Sequence, residues 1–294
     1  MFTRRHPYLF FLLLLAAMGT VSMIFLSIMI MSVSGDKVKY DGDKVGVIEV
    51  VGTIADSKEI IDQIKEFREE ESIKAIVVRV DSPGGAVGPS QEIYREIRKT
   101  IPEKKVIISM GSVAASGGYY ISAAGNGIVA NPGTITGSIG VIMGYTNFED
   151  LLSKIGLSPV VIKSGEYKDI GSPVRKMTRQ EKSLLEDLAK NIHRQFIEDI
   201  AQGRGIELTN VEAIADGRIF TGEDAKNLGL VDRLGNFEDA VQWAGELGGI
   251  EGEVETVYPE KDRLSFLEYL MESALHLWNK NMLRSRLRPE AVLR

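Results

Sequence analysis

Residues 75–85 read AIVVRVDSPGG, a nearly continuous apolar strand that leads directly into a glycine-rich turn. An apolar run of this kind is typical of a strand that is buried on both faces of a parallel sheet. In the turn, residues 81–85 (the DSPGG turn), Pro83 restricts the backbone and the two glycines let it approach a ligand closely. Because parallel α/β domains build their sites where strands end, this stretch predicts both the fold class and one edge of a site.

The same order of strand, turn and helix continues on both sides of this stretch. The residue pattern predicts further strands at 45–51, 105–110, 127–131 and 139–143. It predicts helices through 60–67 (with Asp56 and Glu59 as a capping box), 91–98, 178–202, 223–228 and 236–246. Strands that alternate with helices indicate an α/β domain with mostly parallel pairing.

The composition excludes several classes of function. The chain has 294 residues with a net charge of −6, and nucleic-acid binding over a broad surface requires a basic face. It contains no cysteine, which removes disulfides, thiolate metal sites and cysteine nucleophiles together.

The N-terminal region indicates a membrane anchor. Residues 8–33 carry no charge, and a bilayer core requires about 20 apolar helical residues. The run is longer than the apolar part of a cleavable signal peptide and lacks an Ala-x-Ala end, so it predicts an uncleaved signal anchor. Arg4 and Arg5 precede it, which predicts that residues 1–7 are a cytoplasmic tail. A linker at 34–43 and the main domain at 44–260 then lie on the opposite side of the membrane.

The C-terminal residues 261–294 are predicted to form a separate basic, amphipathic helical extension. Between Lys280 and Arg294 there are five basic residues and one acidic residue. Two interpretations stay open. The helix packs on its own domain or on a neighbour, or it rests on anionic lipid.

The second glycine-rich turn, residues 115–118 (the ASGG turn), carries a candidate nucleophile, Ser116. A serine hydroxyl requires a base to remove its proton, and the usual base is histidine. Of the three histidines, His6 falls in the predicted cytoplasmic tail, His193 in a charged helix where a solvated face is expected, and His276 in the extension. A Ser–His–Asp triad is therefore disfavoured.

A lysine can replace histidine as the base only while it is uncharged. A free lysine amine has a pKa of about 10.4, which must fall by about 3 units for use near neutral pH. Most lysines here lie among Glu and Asp on helix faces, whereas Lys168 falls in a glycine- and proline-containing loop, SGEYKDIGSP. Glu166 and Asp169 count against Lys168 unless they point away from it.

The two glycine-rich turns also offer hydrogen-bond donors. Acyl transfer requires backbone N–H groups that face the developing oxyanion. Gly84 and Gly85 follow one strand, and Gly117 follows Ser116 after the next. Each turn supplies one donor, or both are ordinary strand-to-helix connections.

Five motifs in fixed order together resemble the signal peptide peptidase A family of bacteria, in its short single-domain form. The motifs are VDSPGGAV (80–87), SVAASGGYYIS (112–122), NPGTITGSIG (131–140), SGEYKDIGSP (164–173) and DGRIFTGEDAKNLGLVD (216–232). The resemblance covers about residues 45–249 and the N-terminal anchor.

This resemblance implies a crotonase-like (ClpP-type) fold of stacked ββα units and a serine endopeptidase with a Ser–Lys dyad. Ser116 stands at the family's nucleophile position and Lys168 at the position of its general base. Gly85 and Gly117 match the two oxyanion-hole positions, and Ser138 matches a serine that orients the lysine. No metal or organic cofactor is expected.

The resemblance further implies where the enzyme works and on what. Its substrates would be hydrophobic remnants of signal peptides in the bacterial cell membrane, next to membrane lipid. The family forms ring-shaped homo-oligomers in which the serine and the lysine can come from adjacent subunits. Two alternatives are a stomatin-cleaving membrane peptidase of the same fold and a non-catalytic, membrane-anchored scaffold.

Overall fold

A computed structural model describes residues 7–33 and 42–259 of the chain. These residues divide between two compact units, Met1–Gly42 and Asp43–Arg294. The predicted basic extension at 261–294 and most of the predicted tail and linker lie outside the described residues, so they stay predictions.

The first unit contains one helix, α1 (Pro7–Val33). Its apolar side chains are exposed wherever they are described, Leu12 and Val21 among them. Within the described residues, no helix combines the length and the apolar character that crossing a membrane requires. The transmembrane anchor at 8–33 is therefore unconfirmed.

The second unit is built on an eight-stranded sheet with the order β6-β5-β3-β2-β1-β8, in which β4 also pairs with β3 and β7 with β4. Its strands are β1 (Lys44–Val51), β2 (Ile73–Ser82), β3 (Lys105–Ala115), β4 (Gly127–Ala130), β5 (Ile135–Gly137), β6 (Ile219–Thr221), β7 (Arg233–Leu234) and β8 (Glu255–Val257). Every pair is parallel except β5 with β6. This mixed α/β fold with a parallel sheet confirms the predicted class and is consistent with a ClpP-like fold.

Eight helices of this unit lie within the described residues. They are α2 (Lys58–Glu69), α3 (Val87–Thr100), α4 (Gly117–Ser122), α5 (Glu149–Lys154), α6 (Arg179–Arg204), α7 (Leu208–Ile214), α8 (Gly222–Asn227) and α9 (Phe237–Gly248). The long predicted helix is confirmed as α6, with Thr178 as its N-cap.

Two local predictions are wrong. Ser57, not Asp56, is the N-cap of α2, and Asp56 accepts only a local bond from the Lys58 N–H at 2.8 Å. The strand predicted at 139–143 is not formed, because the chain leaves β5 through Ser138 with a φ of +51°. A strand cannot continue through that left-handed backbone conformation.

The hydrophobic core is formed by side chains of the central strands and of helix α9, which packs against them. Val45, Val77 and Ile107 on neighbouring strands are fully buried, and Ala240 and Ala244 of α9 pack with them. Each buried aliphatic side chain of this kind stabilises the fold by about 1.5–3 kcal/mol. The glycine-rich turns at the ends of β2 and β3 therefore continue strands in which most apolar side chains are fully buried.

Candidate functional site

The DSPGG and ASGG turns lie directly against each other at the ends of β2 and β3. An added Cβ on Gly84 would stand 2.6 Å from the Gly117 nitrogen and 2.9 Å from the Ser116 Cβ. No side chain fits into that space, so glycine at 84 is what allows the two turns to meet.

The DSPGG turn is held by the chain segment that follows β1. The Ile54 N–H donates to the Gly84 carbonyl at 3.0 Å, and the Ala86 N–H donates to the Ile54 carbonyl at 2.8 Å. Gly84 has a φ of +102°, which only glycine adopts without strain. The turn is therefore a fixed platform beside Ser116.

Ser116 has an unusual backbone conformation, with φ 53° and ψ −120°. Its N–H donates to the Gly137 carbonyl and its carbonyl accepts from the Tyr120 N–H, both at 2.8 Å. Its side chain is partly exposed between buried neighbours. A strained serine on a sharp strand-to-helix turn is the arrangement that presents a nucleophile in other hydrolases.

Two N–H groups beside Ser116 have no acceptor among the described residues. They belong to Gly85 and Gly117, and an added Cβ on Gly117 would lie 3.1 Å from the Gly85 nitrogen. Gly117 is buried at the start of α4 and Gly85 is exposed to solvent, so one donor is buried and the other is open to a ligand. When Ser116 Oγ attacks a carbonyl, the oxyanion of the tetrahedral intermediate would supply the missing acceptor for both donors.

Ser90 was not among the predicted site residues, yet it borders this pair of donors. It is buried on α3, donates to the Ala86 carbonyl at 2.9 Å, and its Oγ would be 2.6 Å from a Cβ on Gly117. The only feature of the sequence that could have indicated Ser90 is its position, about one helical turn after residues 81–85.

Ser138 is connected to Ser116 through the backbone. It follows Gly137, whose carbonyl binds the Ser116 N–H, and its own N–H donates to the Arg218 carbonyl at 2.8 Å. Ser116 and Ser138 are the two non-glycine residues with positive φ in the described part of the chain. That Ser138 orients Lys168 stays a prediction.

His193 does not lie on a solvated face as expected. It is half-buried on α6, and its Nε2 donates to the Ile139 carbonyl at 3.2 Å. It therefore fixes the chain after Ser138, and it makes no hydrogen bond to Ser116.

Lys168 lies in a turn on the surface. Its N–H donates to the Gly165 carbonyl at 3.2 Å, while its side chain is exposed and pairs with no described residue. The structure of the single chain thus brings Ser116, Gly85 and Gly117 together, and among the described residues the Lys168 amine makes no hydrogen bond to any of the three.

The carboxylate of Asp169, which counted against Lys168, is bound elsewhere. It accepts from Arg175 Nε at 2.7 Å and from Lys163 Nζ at 2.6 Å. The Arg175 guanidinium, followed by the Lys163 ammonium, holds the pKa of Asp169 well below its usual range.

The described residues contain no group of three or more His, Asp or Glu side chains that could hold a metal ion.

Comparison with known proteins places this arrangement in a family. The sequence model of peptidase family S49 matches residues 98–251, and that of Clp protease matches residues 44–132. The chain belongs to peptidase family S49. It is accordingly a serine peptidase, and the resemblance seen in its motifs is confirmed.

Relatives of the S49 peptidase come from several organisms. A putative protease of Synechocystis is 46% identical over 76% of this chain and 79% of its own length. A putative signal peptide peptidase SppA of Enterococcus faecium is 36% identical over 67% of this chain and 62% of its own length. Protease 4 of Salmonella typhi is 37% identical over 71% of this chain and only 35% of its own length.

A solved structure shares the fold of the S49 peptidase. A membrane-bound stomatin-specific protease superposes with a TM-score of 0.51 at 20% identity, covering 76% of this chain and all of that one. This likeness supports the ClpP-type architecture alone.

Proposed function

We propose that the chain is a membrane-anchored endopeptidase that uses a Ser116–Lys168 dyad to degrade remnant signal peptides in the bacterial cell membrane. The observation that carries this proposal is the pair of unpaired N–H groups, on Gly85 and Gly117, beside the strained Ser116 turn. Membership of family S49 supports a peptidase over the non-catalytic scaffold.

The proposed reaction begins with Lys168 in its uncharged form. Its amine takes the proton from Ser116 Oγ, and the alkoxide attacks the peptide carbonyl. The N–H groups of Gly85 and Gly117 stabilise the oxyanion of the tetrahedral intermediate. The lysine then protonates the leaving amine, and water hydrolyses the acyl-enzyme.

A neighbouring subunit is the proposed source of the lysine. Within one chain the Lys168 side chain is exposed and bonded to no described residue. The segment between β5 and the Lys168 turn also exposes large apolar side chains, with Ile142 97% and Ile162 96% exposed. A ring of identical subunits would cover these side chains and would bring a lysine to each serine.

The proposed substrate and location follow from the relatives and from α1. Relatives named SppA and Protease 4 support peptides left after preprotein processing, and those peptides stay in the membrane. An anchor at residues 8–33 would hold the site near them, with the N-terminus in the cytoplasm and the catalytic domain outside.

Hydrolysis of a hydrophobic peptide with small side chains by the purified full-length chain tests this function. Ser116→Ala and Lys168→Ala are each expected to be inactive. If the dyad spans two subunits, mixing the two inactive variants under conditions that allow subunit exchange restores part of the activity. Hydrolysis that survives either substitution would exclude the dyad.

The shared fold favours one other candidate, cleavage of a stomatin. The same hydrolysis assay, run with a signal peptide and with a stomatin segment as substrates, distinguishes the two candidate functions. A stomatin segment that is cleaved while signal peptides are left intact would replace the proposed substrate without changing the dyad.

A further inference from the structure

The loop that carries Lys168, residues 163–178 (the lysine loop), places a carboxylate next to the proposed base. A negative charge within about 4–6 Å of an amine favours its charged form. An unpaired Asp169 would therefore oppose the uncharged lysine that the proposed reaction requires.

Arg175 binds this carboxylate with two parallel hydrogen bonds. Its Nε and Nη2 lie 2.7 and 2.9 Å from the two Asp169 oxygens. The same guanidinium pairs with the buried Glu181 at the start of α6, with Nη1 at 2.9 Å from one oxygen and Nη2 bonded to the other. One cation thus joins the loop to the helix.

Further contacts fix the loop on both sides of Lys168. Lys163 Nζ donates to the Asp169 carboxylate and to the Glu166 carbonyl, both at 2.6 Å. Gln180 of α6 donates to the Tyr167 hydroxyl at 2.5 Å. The side chains of both neighbours of Lys168 are therefore bonded elsewhere, while its own side chain stays exposed.

We propose that Arg175, assisted by Lys163, is a positioning residue that neutralises Asp169 and holds it away from Lys168, so that Lys168 can act as an uncharged base. This inference rests on the proposed Ser–Lys function. It assigns a role to a residue that touches neither the substrate nor the reacting atoms.

Other charged groups lie near Lys168 in the chain. On the loop and the first turn of α6 they are Lys163, Glu166, Asp169, Arg175, Lys176, Arg179, Glu181 and Lys182. Of the three carboxylates, Asp169 and Glu181 are paired with Arg175, and Glu166 is exposed to solvent, which screens its charge. Removal of Arg175 would unpair both carboxylates from it, but Glu181 keeps the Thr178 N–H, whereas Asp169 adjoins the base in the chain and keeps only Lys163.

The test is the pH dependence of kcat/KM for a small ester substrate, measured on the purified full-length chain. Arg175→Gln is expected to move the acidic midpoint of the profile up by about one pH unit, with about a tenfold loss of kcat/KM below it. The double variant Arg175→Gln/Asp169→Asn is expected to return the midpoint to the parent value. Arg194→Gln, which removes an exposed pair with Glu198 on α6, is the matched control and should leave the profile unchanged.

The possible results separate the two proposals. Hydrolysis by Ser116→Ala or Lys168→Ala would defeat the proposed function, whatever Arg175 does. If those variants are inactive but Arg175→Gln has the midpoint of Arg194→Gln, only the inference fails. A loss of activity in Arg175→Gln that Asp169→Asn does not restore at any pH would also overturn it, because a purely structural role predicts that outcome.

If Arg175→Gln does not fold, Lys163→Gln and Asp169→Asn carry the test. Lys163 is one-third exposed, and its removal should move the midpoint up by a smaller amount. Asp169→Asn should leave the midpoint unchanged or lower it. An unchanged midpoint in Lys163→Gln, or a raised one in Asp169→Asn, contradicts the inference.

Discussion

At the scale of single residues, the site depends on a few positions where the backbone is unusual. Gly84 has a φ of +102° and leaves no room for a Cβ between the two turns, and Ser116 has a φ of +53°. Strain of this kind persists only where the surrounding structure fixes it. Here the fixed ends of β2 and β3 do so.

Gly84→Ala is expected to lower kcat/KM at least about 100-fold, because its Cβ would displace the Gly117 donor, and loss of one such donor costs about that much. Its unfolding temperature should also fall, since alanine is strained at positive φ. Steady-state kinetics and thermal unfolding measure the two effects.

Gly88→Ala is the control, since a Cβ there meets no atom within 4 Å on α3. It should keep the parental kcat/KM and unfold at the same or a higher temperature. Full activity in Gly84→Ala would show that the turns do not have to meet for catalysis.

The sequence predicts the two turns well because the residues that form them are local. Proline, glycine and serine directly after apolar strands identify both turns, while the role of Ser116 stays a prediction from the motifs. The partners of Asp169 could not be predicted, because Arg175 reaches it only through the path of the loop. The half-buried position of His193 was likewise set by packing against the chain after Ser138, which no periodicity of α6 reveals.

At the scale of elements, α6 anchors the lysine loop through its first turn. Thr178 and Glu181 form a reciprocal capping box, and Glu181 also pairs with Arg175. Hydrogen bonds from Arg175, then from the Thr178 N–H, lower the pKa of Glu181 from 4.5 to about 2. Because the folded state favours the charged form, this stabilisation is complete above the ordinary pKa and is lost as the pH falls towards 2.

Glu181→Gln should therefore unfold at a lower temperature than the parent at pH 6, and the difference should shrink steadily down to pH 2. Thermal unfolding across this pH range measures it. Glu186→Gln, which removes an exposed pair with Lys182 on the same helix, should match the parent throughout. A difference for Glu181→Gln that is constant with pH would mean that its charge does not stabilise the helix start.

The sequence predicted only some of the strands of the sheet. Nearly continuous apolar runs predicted the buried parallel strands, and β1, β2 and β3 were found close to their predicted positions. The strand expected at 139–143 failed because the run follows a left-handed serine, and beyond the buried Ile139 its apolar residues stay partly or fully exposed. An apolar run alone cannot distinguish a buried strand from a surface that another subunit would cover.

At the scale of the whole molecule, the chain is a serine peptidase for which we propose a site completed by a second subunit. Ser116 lies beside the N–H groups of Gly85 and Gly117, whereas the proposed base, Lys168, is exposed and follows an exposed apolar segment that contains Ile142 and Ile162. The proposed self-association would account for the exposure of both the lysine and the apolar segment. Neither the subunit contacts nor the distance from Ser116 to a neighbour's lysine could be inferred from one sequence.

Ile142→Asp and Ile162→Asp are expected to weaken self-association by at least tenfold, because burial of an isoleucine contributes about 1.5–3 kcal/mol. Analytical ultracentrifugation of the full-length chain over a dilution series measures this, and specific activity should fall in parallel with the oligomer. Leu247→Asp, at an exposed position on α9, should change neither. Monomers of either isoleucine variant that keep full activity would show that the site is complete within one chain.

The most direct test of the central claim is covalent labelling of the full-length chain by a fluorophosphonate, with the modified residue identified by mass spectrometry. The dyad predicts a single adduct on Ser116, a labelling rate that falls as the pH is lowered, and a rate at least about 100-fold lower in Lys168→Ala. An adduct on another serine, or an unchanged rate in Lys168→Ala, would contradict the assignment of Ser116 and Lys168 as nucleophile and base.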